Sequence, residues 1–189
     1  MNKAVFLDRD GVLNELVLNP VTGEHEPPHS PDDLILYPWV IESLHALEYS
    51  GFELFLVSNQ PDCAKGKTTL ENIRAVHEKL DSTLQSAGIF FTEFYYCYHH
   101  PKGIVAEYTS DCVCRKPKPY FLLKAAKDYG IDLRYSWMIG DRDTDIECGK
   151  SAGVRTILIQ NIHSSGYRGS ANPEYTATNL QIAVQIILQ

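Results

Sequence analysis

The sequence predicts an α/β fold: a doubly wound, mainly parallel sheet. Three observations lead there. Short apolar runs alternate with segments of helical period along the chain, the pattern of strand–helix–strand units around a parallel sheet. The runs at residues 3–7, 52–57 and 135–139 are nearly continuous, as in strands buried on both faces. Each run ends in polar residues: Asp8 and Asp10, Ser58 and Asn59, Asp141 and Asp145. Parallel strands would gather those ends at one edge, where such sheets bind ligands.

In order, Lys3-Ala4-Val5-Phe6-Leu7 reads as the first strand, and Gly11 permits the turn after its acids. Residues 14–33 hold four prolines and a glycine and read as a long surface loop. A helix is expected over 38–50, with Pro38 in its first turn, Gly51 past its end, and Val40, Ile41, Leu44 and Leu47 inward. A strand over 52–57 leads to a loop carrying Lys65 and Lys67. Thr68 and Glu71 have capping-box spacing for a helix with Leu70, Ile73, Val76, Leu80, Leu84 and Ala87 on one face. The aromatic run 90–96 suggests a third strand. Pro119 opens a helix with Leu122, Leu123 and Ala126 inward and Gly130 as its stop. Strands over 135–139 and 154–159 flank a helix over 144–152. Residues 161–173 read as loop and 180–188 as a terminal helix.

A chain of 189 residues suits one domain spanning 1–189, and a monomer is expected. No apolar run is long enough to span a bilayer, and a strand that begins within three residues leaves no room for a signal peptide. Five cysteines are not spaced like a secreted disulfide framework, so a reducing cytoplasm is expected. A net charge of −7 disfavours nucleic acid and anionic membrane as partners. A small anionic ligand needs only a local basic pocket.

Converging carboxylates repel unless a cation joins them, and Asp oxygens suit Mg²⁺. Magnesium among acids implies a phosphate ligand, whose charge the metal offsets. Asp8 can then attack phosphorus, and Asp10 can give and take the proton. Ser58 and Asn59 can hydrogen-bond the transferring oxygens, and Arg115 and Lys116 add positive charge. Asp141 completes the metal site, while Asp145 orients its loop or a lysine. Arg142, Thr144, His29 and the 161–173 loop are further substrate-contact candidates.

Asp8-Arg9-Asp10-Gly11, Ser58-Asn59-Gln60, Arg115-Lys116-Pro117 and Gly140-Asp141-Arg142-Asp143-Thr144-Asp145 resemble the four ordered motifs of the haloacid-dehalogenase-like phosphatases. The resemblance implies a Rossmann-like fold, Mg²⁺, Asp8 as nucleophile and Asp10 as acid/base. It also implies metal binding by Asp8, Asp141 and the Asp10 backbone carbonyl, and Lys116 steadying the nucleophile. No large insertion follows Asp10 or Gln60, so no cap domain is expected and nearby loops must select the substrate.

Cys97, His99, Cys112 and Cys114 form two close pairs, a set that suits a closed tetrahedral Zn²⁺ site. Reduced, packed thiols are the alternative, which the polar loop between the pairs disfavours. His100 competes with His99 as ligand. With four protein ligands the zinc would be structural and would hold Arg115 and Lys116 in place. Cys148 reads as a packed helix residue, and Cys63 has no assigned role. The zinc-loop pattern resembles the branch of the family that contains heptose-bisphosphate and histidinol-phosphate phosphatases; a nucleic-acid end phosphatase is a less favoured member of the same class. In that branch Ser-Gly-Ile-Ala-Arg-Gly commonly follows Asn-Gln, whereas here Pro61-Asp62-Cys63-Ala64-Lys65-Gly66 stands. Lys65 is either a ligand for a second phosphate or a solvated loop lysine.

Overall fold

The computed structural model describes residues 2–189. In chain order the strands and helices are β1 (Lys3–Leu7), β2 (Val17–Leu18), β3 (His25–Glu26), α1 (Val40–Tyr49), β4 (Phe52–Asn59), α2 (Leu70–Ser86), β5 (Glu93–Cys97), α3 (Tyr120–Tyr129), β6 (Trp137–Gly140), α4 (Asp143–Ala152), β7 (Arg155–Ile159), β8 (Tyr175–Ala177) and α5 (Leu180–Ile187). Six strands form one sheet in the order β5-β4-β1-β6-β7-β8, and every neighbouring pair is parallel. β1 lies between β4 and β6, so the three polar strand ends are neighbours.

Strand alternation divides the core. Val5 and Leu7 of β1 face a cluster with Leu44 and Leu47 of α1, Leu80 and Leu84 of α2, and Leu180 and Val184 of α5. Ala4 and Phe6 face the opposite cluster, with Leu122 and Ala125 of α3 and Cys148 of α4. Helices therefore cover both faces of a doubly wound sheet, as the alternating pattern requires. No helix among the described residues is long and apolar enough to cross a membrane.

Local geometry changes several expectations. Residues 14–33 are not simply loop: β2 and β3 form an antiparallel hairpin pairing Val17 with Glu26 and Leu18 with His25. The Asn19 side chain builds its turn by accepting from the Val21 and Thr22 amides. A two-residue strand leaves too short an alternation to read. The cap of α2 is Thr69, whose extended backbone lets its hydroxyl accept from the Asn72 amide at 3.1 Å; Thr68 lies one residue too early. β4 continues through Ser58 and Asn59. β5 starts at Glu93, because Phe90 points to solvent, 65% exposed. On α3 the buried stripe is Leu122 and Ala125, and Leu123 is exposed. The edge strand β8 escapes a hydrophobicity reading because only Ala177 of its three residues is buried.

Candidate active site and metal centre

β1 delivers Asp8 and Asp10 directly past its last buried residue, and β6 delivers Asp141 at the same level. Two glycines make room. Gly11 has φ 82°, and a Cβ there would lie 2.4 Å from an Asp141 carboxylate oxygen. A Cβ on Gly140 would lie 2.2 Å from the Asp145 side chain. The result is a buried triad in which Asp8, Asp141 and Asp145 each offer an oxygen within 4.8 Å of the others.

Lys116 enters this triad from the loop before α3. Its Nζ lies 2.9 Å from Asp8, 2.6 Å from Asp145, and donates to the Val57 carbonyl at 2.6 Å. Burial works against its charge, but Asp145 and Asp8 more than reverse this, so its pKa is raised. Asp145 also accepts from the Arg142 amide at 3.0 Å, so it orients both its loop and the lysine. Asn59 holds Lys116 from below: its Oδ1 accepts from the Lys116 amide and its Nδ2 donates to the Lys116 carbonyl, both at 3.1 Å.

Lys116 pairs with two of the three carboxylates, and the third, Asp141, has Arg142 Nε at 3.9 Å, too far to donate a hydrogen bond. Both Asp141 oxygens are buried without a hydrogen-bond partner. Burial, then Asp8 and Asp145, push its pKa up to about 8. A buried carboxylate without donors is costly. A divalent cation would remove that cost, and an all-oxygen donor set suits Mg²⁺. The residues present therefore fit such an ion.

Asp10 stands apart from the triad. Its Oδ1 accepts from Arg9 Nε at 2.9 Å and Asn14 Nδ2 at 3.1 Å; its Oδ2 accepts from an Arg9 terminal nitrogen at 3.1 Å and Gln60 Nε2 at 2.6 Å. Arg9 is fully buried, and its charge is kept against burial chiefly by Asp10. Sequence reasoning assigned no role to Arg9, Asn14 or Gln60. The available signal was an arginine set between two acids directly after a buried strand. Ser58 is also placed differently from expectation. Its hydroxyl accepts from Gln60 at 3.0 Å and does not line the cleft, because the longer β4 turns it into the sheet.

The triad opens into a cleft of about 310 Å³. Its walls include Asp8, Asp10, Asn59, Lys65, Arg115 and Arg142, and also Thr144, His100 and Tyr167. The hairpin contributes Glu24, His25 and Glu26, the segment read from sequence as loop. The Arg142 guanidinium lies over the Tyr167 ring at 4.2 Å, so the 161–173 loop supports it. Burial, opposed by Asp62, lowers Lys65, and the neighbouring cations Lys67, Arg115 and Arg142 add to this. That wall is a positive pole. His29 does not line the cleft; it pairs with Asp62 at 2.9 Å.

Beside the cleft, one donor atom from each of Cys97, His99, Cys112 and Cys114 lies within 4.8 Å of the rest. Cys112 Sγ is 3.3 Å from both Cys97 and Cys114, and His99 Nδ1 is 4.0 and 3.9 Å from the outer two sulfurs. Three thiols and an imidazole at tetrahedral-edge separations form a set that could hold zinc. His100 is turned away, its Nδ1 accepting from the Lys102 amide. Arg115 donates to the His99 carbonyl at 3.2 Å, which ties the cluster to the cleft. All five cysteines are free. Cys148 packs in the core, and Cys63 is buried near the Tyr98 carbonyl.

The chain is similar to known proteins. A family model described as HAD-hydrolase-like matches residues 113–183. The D-glycero-beta-D-manno-heptose-1,7-bisphosphate 7-phosphatase of Yersinia pestis is 34% identical over 178 residues, 94% of this chain and 90% of the relative. Its counterpart in Pasteurella multocida is 38% identical over 161 residues, 85% and 83% of the two chains. The chain belongs to the haloacid-dehalogenase-like hydrolases, in the branch that holds these two relatives. The crystal structure of D,D-heptose 1,7-bisphosphate phosphatase from B. bronchiseptica, complexed with magnesium and phosphate, shares the fold. Its TM-score is 0.77 at 24% identity, covering 99% of this chain and 98% of that one.

Proposed function

We propose that this chain is a Mg²⁺-dependent phosphomonoesterase that removes the 7-phosphate of D-glycero-D-manno-heptose 1,7-bisphosphate. It acts as a monomeric domain over residues 1–189 in a reducing cytoplasm, which suits five unpaired thiols. The observation that carries the reading is Asp8: it stands at the end of a central strand, inside a buried acid triad, facing a cleft with a cationic far wall. Two relatives at 34% and 38% identity that carry this activity in their names support the substrate.

Asp8 attacks phosphorus as the bond to the sugar oxygen breaks, giving an aspartyl-phosphate. Asp10 hands its proton to that leaving oxygen. It then takes a proton from the water that cleaves the intermediate, so both aspartates end as they began and inorganic phosphate leaves. The two Asp10 oxygens accept from four donors at rest, so Asp10 must first release one of them and take up a proton from solvent before it can give that proton to the leaving oxygen. Lys116, 2.9 Å from Asp8, holds that carboxylate in its aim. Asp8, Asp141 and the Asp10 backbone carbonyl would hold Mg²⁺, which supplies positive charge to the phosphoryl oxygens. Asn59, Arg142, Arg115 and Lys65 all line the cleft, and in this reading Arg115 and Lys65 take the second phosphate. Cys97, His99, Cys112 and Cys114 would hold a structural Zn²⁺ that braces Arg115.

The test is phosphate release from both anomers of the heptose bisphosphate and from histidinol phosphate, with the remaining phosphate located by phosphorus NMR. Loss of the 7-phosphate at the highest kcat/KM is expected. Faster turnover of histidinol phosphate would overturn the substrate, and no release from any of the three would overturn the activity.

A further inference from the structure

The loop after β4 presents two lysines to the cleft, and they are held differently. Lys67 is paired with Glu26 of the hairpin, which also accepts from Asn19 Nδ2 at 2.9 Å. Its charge is therefore already matched. Lys65 Nζ lies 3.9 Å from Asp62 Oδ1. That is too far for a hydrogen bond, and close enough for Coulomb attraction to set its direction. Its three N–H donors remain free for a ligand. Asp62 is only 5% exposed. Its other oxygen, Oδ2, is engaged by His29 Nε2 at 2.9 Å. The loop backbone is fixed independently, because the Ala64 carbonyl accepts from the amides of Ile104 and Val105 beside the zinc loop. What remains adjustable is the aim of the Lys65 side chain, and among the described residues Asp62 is the one acid within ion-pair distance of it.

We infer that the His29–Asp62 pair is a positioning device that aims Lys65 at the ligand's second phosphate, and so makes this chain prefer a bisphosphate to a monophosphate. His29 comes from the segment that follows the hairpin, so the pair also joins the two cleft walls. The inference deepens the proposed function and rests on the cleft holding a bisphosphate with one phosphate at Asp8.

The test is calorimetric binding in an Asp8→Asn background with Mg²⁺ present, so that nothing turns over. Two probes are compared: D-glycero-D-manno-heptose 1,7-bisphosphate and the heptose 7-phosphate. The Asp8→Asn chain is expected to prefer the bisphosphate by about tenfold, the worth of one charge-assisted hydrogen bond. Adding Lys65→Ala should abolish that preference. Adding Asp62→Asn or, from the other side, His29→Ala should remove most of it while leaving affinity for the 7-phosphate unchanged. A merely structural role would weaken both probes together and overturn the inference. Tighter bisphosphate binding by Asp62→Asn would make Asp62 a repulsive charge and also overturn it, as would equal affinity of the reference chain for both probes. Failure of the wild-type chain to hydrolyse the bisphosphate would sink the proposed function while this binding preference stood or fell on its own.

Discussion

Two clusters of potential metal ligands lie side by side in this molecule, and they are held by opposite means. Asp8, Asp141 and Asp145 are set by the ends of packed strands and the first turn of α4, with Lys116 between them. The apolar rows beneath them, Leu7 and Ile139, are fully buried. That scaffold exists whether or not an ion is bound. Cys97 ends a strand, but His99, Cys112 and Cys114 sit in an irregular stretch whose only regular structure is one short 3₁₀ turn at Ala106–Tyr108. Its large apolar residues Ile104 and Val113 are exposed at 79% and 64%. Little burial is available there to offset chain entropy. The sheet holds its site in place, whereas the loop has little packing of its own to hold its cluster.

The comparison can be broken in four ways. The largest effect should come from Asp8→Asn, which removes the nucleophile and leaves the strand. Phosphate release should fall by about 10⁴-fold or more, while the thermal midpoint stays near that of the parent. A large drop in the midpoint would show that the acid site is also a folding element. Next is Lys116→Met, which strips the buried carboxylates Asp8 and Asp145 of their lysine partner. Breaking a buried pair of this kind costs about 3–5 kcal/mol, to be read from urea unfolding. Added Mg²⁺ should recover part of it.

Third, Cys112→Ser should leave less than the parent's expected content of about one zinc per chain by elemental analysis. It should open residues 98–118 to proteolysis and lower the thermal midpoint. Activity should fall by roughly tenfold as Arg115 loses its brace, about the worth of one charge-assisted hydrogen bond. Full metal content with an unchanged cleavage pattern would contradict the contrast drawn between the two clusters.

The smallest effect concerns His29 and Asp62. The Asp62 hydrogen bond raises His29; Asp62 itself is lowered by His29 and Lys65 against its burial. The His29 contribution is therefore present below the ordinary imidazole value and is lost as pH rises through the raised one. The Asp62 contribution is present above the ordinary carboxylate value and is lost as pH falls through the lowered one. The midpoint difference between the parent and His29→Ala should be widest between roughly pH 4 and 6.5 and should shrink on the alkaline side. A difference that does not vary with pH would show that the pair carries no charge linkage.

Much of this was written locally. Lys3–Leu7 announces a buried strand by its continuous apolar run, and the acids that follow belong to the same short stretch. Cys97-x-His99 and Cys112-x-Cys114 carry their spacing with them. Periodicity placed α2 within a residue of its observed start, although it chose Thr68 over Thr69, because only the backbone angles decide which hydroxyl faces the helix amides. The hairpin at Val17–Leu18 and His25–Glu26 and the strand Tyr175–Ala177 were illegible, being too short and too exposed to show an alternation.

The sequence by itself determined the alternation of strands and helices, the polar strand ends and the thiol spacing, because each depends on residues near one another in the chain. Only the tertiary structure decided that both oxygens of Asp141 lie buried without a donor while Asp145 takes the lysine, that Arg9 and Gln60 grip Asp10, that Ser58 turns inward, and that His29 reaches Asp62. Those pairings link residues up to 50 positions apart, as from Asp10 to Gln60. They exist because parallel strand order brings distant ends to one edge, and spacing along the chain carries no record of it.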